Sequence, residues 1–140
     1  MWMPYWRING LLTRWRGVWR SGRWRMRGAN RTHYRTILKE ILTQQAQEME
    51  QQPVKGVDTE LIIDEVHDNY MLSPVGWSPQ GRVHGATLFV RIRNGKFWIE
   101  EDWTEEGITS HLLEAGVPKE DIVLAFHAPE VRPYTEFAVA

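Results

Sequence analysis

The chain has no cysteine among its 140 residues. That excludes a disulfide framework and any thiolate-bound metal site, and it fits a reducing cytoplasm. Metal chemistry would have to come from histidine and carboxylates. No apolar run approaches the roughly 20 residues that cross a bilayer, and residues 8–12, INGLL, are too short for the apolar centre of a signal peptide. The expectation is a soluble cytoplasmic protein with no membrane contact. The first 32 residues also lack lysine, aspartate and glutamate.

What those 32 residues contain is eight arginines and five tryptophans, whereas residues 33–140 carry nine basic and eighteen acidic side chains. The overall net charge of −1 hides two segments of opposite sign. Arginine interleaved with tryptophan suits a single-strand nucleic-acid groove or a membrane-surface peptide. Yet the positions keep no sustained helical or strand period, and Gly10, Gly17, Gly22 and Gly28 interrupt any helix. Such an all-arginine run is what translated G-rich upstream DNA yields, and Met26 offers a later start. The expected division is an extension over 1–31, disordered or arising from an over-long start, and one α+β domain over 32–140. About 110 residues support a single core. The acidity of that domain disfavours sequence-independent DNA binding and suits a basic protein partner.

From His33 to about Gln51, Tyr34, Ile37, Leu38, Ile41, Leu42, Gln45 and Met49 fall at helical spacing, with Asn30 or Thr32 as N-cap. Pro53 and Gly56 end that helix. VDTELIIDEV and NYMLSPVGW then read as antiparallel strands, with Pro74 marking an edge or bulge in the second. In ATLFVRIRNGKFWIEEDW, Asn94-Gly95 predicts a two-residue hairpin turn. Counting outward from it pairs Ile92 with Phe97, Val90 with Ile99, Leu88 with Glu101 and Ala86 with Trp103 on the core side. The reverse side carries Arg91 over the Trp98 ring, in reach of Glu100. Thr104 is an N-cap candidate for a short helix carrying Ile108, His111, Leu112 and Ala115 and ended by Gly116. Glu105 and Glu106 suit the positive end of its dipole. DIVLAF is a buried strand, and RPYTEFAVA a final extended piece. The pattern predicts an antiparallel sheet around a central hairpin, with two main helices packed on it.

No catalytic constellation emerges. The five histidines form no metal pair, the glycines no phosphate loop, and no serine sits in a nucleophile-elbow context. Catalytic, cofactor and metal residues are therefore not assigned. The one rival reading is a metal-dependent nuclease or phosphoryl-transfer enzyme using the Asp64 to Asp68 region, against the plainer reading of a solvated hairpin loop. The residues expected to meet a partner are Trp77, Arg91, Trp98, Glu100, Asp102, Glu105 and Glu106. Their carboxylates cluster where a strand passes into a helix and would steer a basic surface, and a tryptophan beside that rim would supply the anchor.

The ordered segments YRTILKEIL, DNYMLSPVGW, GKFWIEEDWTEEGI, LLEAGVPKEDIVLAFHAPEVRP and YTEFAVA resemble the XisI-like family, the cyanobacterial fdxN-element excision controlling factors. The resemblance spans His33 to Ala140, and residues 1–32 match nothing in it. It implies a compact α+β domain that assists programmed excision of a DNA element, with an XisH-type factor and a site-specific recombinase as partners and DNA reached indirectly. It implies no catalytic residues and no cofactor, and a homo-oligomer is compatible with it. Phe97 and Glu100 depart from the isoleucine and glutamine expected there, so no role resting on the Glu100 charge carries over.

Overall fold

The structure, a computed structural model, describes residues 31–140 and, before them, the backbone of Ala29 and Asn30 and of two short antiparallel pairs, Trp6–Ile8 with Leu11–Thr13 and Val18–Arg20 with Arg23–Arg25. The extension expected over 1–31 otherwise lies outside the described residues. Helix α1 runs from Ala29 to Gln51. Tyr34, Ile37, Leu38, Ile41 and Leu42 line its buried face as the spacing predicts, with Ala46 joining them and Gln45 and Met49 half-buried. It starts earlier than expected. Asn30 and Thr32, read as caps, are both helical, and the Thr32 carbonyl accepts the Thr36 hydroxyl at 3.1 Å. The first turns are held from outside: Arg31 and Arg35 donate from Nε to the two oxygens of Asp68 at 2.8 and 2.6 Å. A clamp formed across 37 and 33 residues leaves no local trace in the sequence.

Strands β1 (Val57–Asp64) and β2 (Asn69–Ser78) are antiparallel over their full overlap. β3 (Gly81–Val83) folds back on the end of β2. β4 (Leu88–Arg93) and β5 (Lys96–Asp102) form the expected hairpin, with Asn94 and Gly95 at φ 54° and 72°. Helix α2 (Ile108–Glu114) and a single turn at Lys119–Asp121 lead to β6 (Ile122–Leu124), which lies parallel to β5. The sheet order is β6-β5-β4-β2-β1, with β3 paired to β2. This is an α+β fold, antiparallel except for its last strand. Both helices share one core with Tyr70, Leu72, Val90, Phe97 and Ile99 of the sheet. Pro74 sits in a central strand, but between the end of β4 pairing at Leu72 and the start of β3 pairing at Gly76. It occupies a local edge, where proline is tolerated.

The hairpin register holds from Arg93/Lys96 through Val90/Ile99 and then shifts, so that Phe89 faces Glu101 and Leu88 faces Asp102. The expected inward pairs Leu88/Glu101 and Ala86/Trp103 are therefore corrected. A β-bulge at Glu100 inserts one extra residue, which re-aims every side chain beyond it. Glu101 and Trp103 are exposed, and Asp102 turns toward α2.

Candidate partner-binding site

The bulge builds the acidic corner of the molecule. Asp102 Oδ1 accepts the Thr104 N–H at 3.0 Å and its hydroxyl at 2.5 Å, while Oδ2 accepts the Ile108 N–H at 2.7 Å. Asp102 thus does the capping expected of Thr104, and the N-cap position itself is Gly107 at φ 77°. Glu105 and Glu106 are exposed ahead of the helix rather than in its first turn. Trp103 is turned outward and is 78% exposed. Its Nε1 donates to Glu101 Oε2 at 3.2 Å, which tethers the ring beside the carboxylates.

Trp103, Glu105 and Glu106 form one wall of an open groove of about 780 Å³ that is also lined by the last turns of α1 and by both faces of the start of β1. Met49, Val54, Val57 and Pro74 supply apolar lining, and Glu48, Glu50, Asp58 and Glu60 add four more carboxylates. Among the described residues no lysine or arginine lines it. The last turn of α1 also carries no basic residue, so the negative end of the helix dipole adds to the field. The one imidazole in the lining is His111, whose Nε2 lies 3.3 Å from the Gln45 amide nitrogen and 3.9 Å from Glu106. An acidic cleft with an exposed indole and an apolar floor is suited to cationic side chains on an amphipathic segment.

The other expected contact residues lie elsewhere. Arg91 does not cover Trp98; its Nε donates to Glu100 at 2.8 Å on the sheet face opposite the helices. The cation over Trp98 is Arg132, 5.5 Å from the ring centre. Arg132 also donates to the carbonyls of His127, Ala125 and Val139 at 3.0, 3.3 and 3.4 Å, tying down the chain end. Trp98 Nε1 donates to the Arg93 carbonyl at 3.2 Å, so this half-buried ring is a packing element beneath the C-terminal segment. Trp77 stands on the β2–β3 ribbon, 68% exposed, with Arg82 5.8 Å from its ring centre. The structure brings Glu105 and Glu106 together with Trp103 and separates them from Trp77 and Trp98. A signal for Trp103 was available: three successive carboxylates, Glu100-Glu101-Asp102, cannot alternate into a core without a break in the strand.

In the Asp64 to Asp68 turn, each carboxylate is already engaged. Asp68, buried and at φ 56°, pairs with Arg31 at 2.7 Å and with Arg35 at 2.6 Å. Burial raises its pKa, but the two guanidiniums outweigh that and hold it below the usual carboxylate range. Burial first and then the Asp68 charge push the neighbouring Tyr70 hydroxyl up to about 12. The His67 ring and backbone N–H hold Asp64 low, and Lys39 does the same for Glu65. Among the described residues no three histidine, aspartate or glutamate side chains are gathered so as to hold a metal ion. No described helix is long and apolar enough to cross a membrane.

The family model for the XisI protein matches residues 29–139, which takes the match four residues upstream of His33, to the start of α1. Two crystal structures from Anabaena variabilis superimpose on the chain. One is a XisI-like protein, with 32% identity and a TM-score of 0.73. The other is the fdxN element excision controlling factor XisI, with 42% identity and a TM-score of 0.70. Each alignment covers 79% of this chain and 99% of the other. No curated protein sequence matches.

Proposed function

Because the chain belongs to the XisI family, we propose that it is a non-enzymatic accessory factor for programmed excision of a DNA element. It acts through a protein partner of XisH type and thereby on a site-specific recombinase, with DNA reached only through those partners. One observation carries the choice of a basic protein partner. Six acidic residues line the groove beside α1, no lysine or arginine does so among the described residues, and the exposed Trp103 stands in its wall. Such a surface repels phosphate and attracts a cationic protein segment. The rival, a metal-dependent nuclease centred on Asp64 to Asp68, is disfavoured because those carboxylates serve as counterions to Arg31, Arg35, Lys39 and His67.

The test is binding kinetics with a purified XisH-type partner. Glu105→Lys with Glu106→Lys slows association most at low salt, since screening weakens steering, and Trp103→Ala speeds dissociation. Unchanged kinetics for both would overturn this site. Calorimetry with Mg²⁺ and Mn²⁺ alongside a nuclease assay addresses the rival directly.

A further inference from the structure

β1 is one margin of the sheet. All eight of its residues pair with β2 in a single unbroken register, and among the described residues no strand of that sheet lies on its other side. Alternate residues of an edge strand aim their N–H and C=O groups outward, unpaired. Edges of this length are ordinarily blunted by proline, lysine, a bulge or a covering element. β1 contains no proline, lysine or arginine and no register break. Its consecutive Ile62 and Ile63, on opposite faces, are 50% and 39% exposed.

We propose that β1 is a docking edge that takes an extended basic segment of the partner protein as an additional strand. The inference rests on the basic-partner reading above and specifies the segment. Asp58, Glu60, Ile62 and Asp64 share the face away from the helices, and Val57, Thr59, Leu61 and Ile63 share the helix side. Asp64 is occupied by its own turn, accepting from the N–H groups of Val66 and His67 and from the His67 ring. Asp58 and Glu60 have no ion pair among the described residues. The complementary strand therefore carries Lys or Arg two residues apart opposite Asp58 and Glu60, with apolar side chains between them that extend the Leu61 and Ile63 surface. Asp58 and Glu60 also line the acidic groove, so one segment reaches both.

A second copy does not fit this edge in any register that pairs five or more of its residues. Two-fold antiparallel pairing keeps like faces opposite, so the axis passes through a residue. Centred on Asp58, Thr59, Glu60, Leu61 or Ile62, it sets Asp58 against Asp58, Asp58 against Glu60, Glu60 against Glu60, Asp58 against Asp64, or Glu60 against Asp64. Each of these registers places like charges directly opposite, which is destabilising. A basic strand turns every such pair into an attraction.

The probe is a ten-residue peptide of alternating arginine and valine added to the full chain, read by calorimetry and amide hydrogen exchange. Two N-methylated forms, one blocked at every arginine and one at every valine, separate strand pairing from charge attraction. Saturable binding is expected, with new protection at the outward-facing amides of residues 58–64. One methylated form loses binding at least tenfold and the other binds as the parent does, because only one row of peptide amides faces β1. Asp58→Lys with Glu60→Lys exchanges the preference for an alternating glutamate and valine peptide. The proposal is overturned if nothing binds, if both methylated forms bind alike, or if protection maps to the groove without β1. It is also overturned if the outward-facing row of β1 amides, which does not bond to β2, is already protected before peptide is added. Concentration-independent protection would point to the chain's own Arg23-Trp24-Arg25-Met26-Arg27, which has the same alternation, and concentration-dependent protection to a second copy. A negative result removes the docking edge alone, since the accessory role has its own assay.

Discussion

Asp68 joins the first turn of α1 to the turn between β1 and β2 through one buried carboxylate. Its pKa is lowered in the folded state, so its contribution to stability is full above the unfolded value of about 4 and is lost as pH falls through the folded value. Asp68→Asn should therefore lower the melting temperature at pH 7, and its deficit should shrink below about pH 4; melting curves across pH 2–7 check both. The two faces of the β4–β5 hairpin give a second residue-level test. Phe97→Asp places a charge in the fully buried row and should prevent folding, whereas Lys96→Asp should not. Equal tolerance in denaturation curves would contradict the register. The tryptophans divide in the same way. Trp98→Ala should cost on the order of 2 kcal/mol because its ring packs beneath Arg132. The exposed Trp103→Ala should stay within about 0.5 kcal/mol of the parent.

The β1–β2 pairing depends at the start of β1 on a backbone approach that only glycine permits. A Cβ at Gly76 would lie 1.9 Å from the Gly56 carbonyl oxygen, in a place where the Trp77 N–H donates to that same oxygen at 2.9 Å. At Gly81 and Gly85, also at positive φ, a Cβ would meet nothing within 4 Å. Gly76→Ala should accordingly lower the melting temperature by more than Gly81→Ala or Gly85→Ala, by circular dichroism; three equal shifts would mean that backbone strain alone decides. At this scale much of the fold was legible in the sequence. The α1 stripe, the β1–β2 pair and the Asn94-Gly95 turn all rest on local periodicity or on the φ demanded by two residues. The rest depended on contacts distant in sequence. The early start of α1 needs Asp68, the parallel placement of β6 needs Tyr34 and Asp121, joined at 2.5 Å, and the bulge at Glu100 reversed the fate of Glu101 and Trp103. The candidate site was therefore only half legible. Its acidic residues could be read from composition, but its aromatic side chain lies past a register break.

Across the whole molecule, charge and shape agree on a division of labour. One sheet face and two helices close the core. The acidic groove and the β1 edge, on which no described strand lies, meet at Asp58 and Glu60, so the two proposed recognition features adjoin. The proposed accessory role predicts no chemistry on DNA by the chain itself and an effect only when its partner is present. The direct measurement is excision of a plasmid-borne element by purified recombinase and XisH-type partner, scored as rejoined product. Adding the chain should raise product formation, Glu105→Lys with Glu106→Lys should reduce it toward the level without the chain, and the chain alone with Mg²⁺ or Mn²⁺ should leave the plasmid intact. Cleavage by the chain alone, or full activity of the doubly substituted protein, would contradict the account.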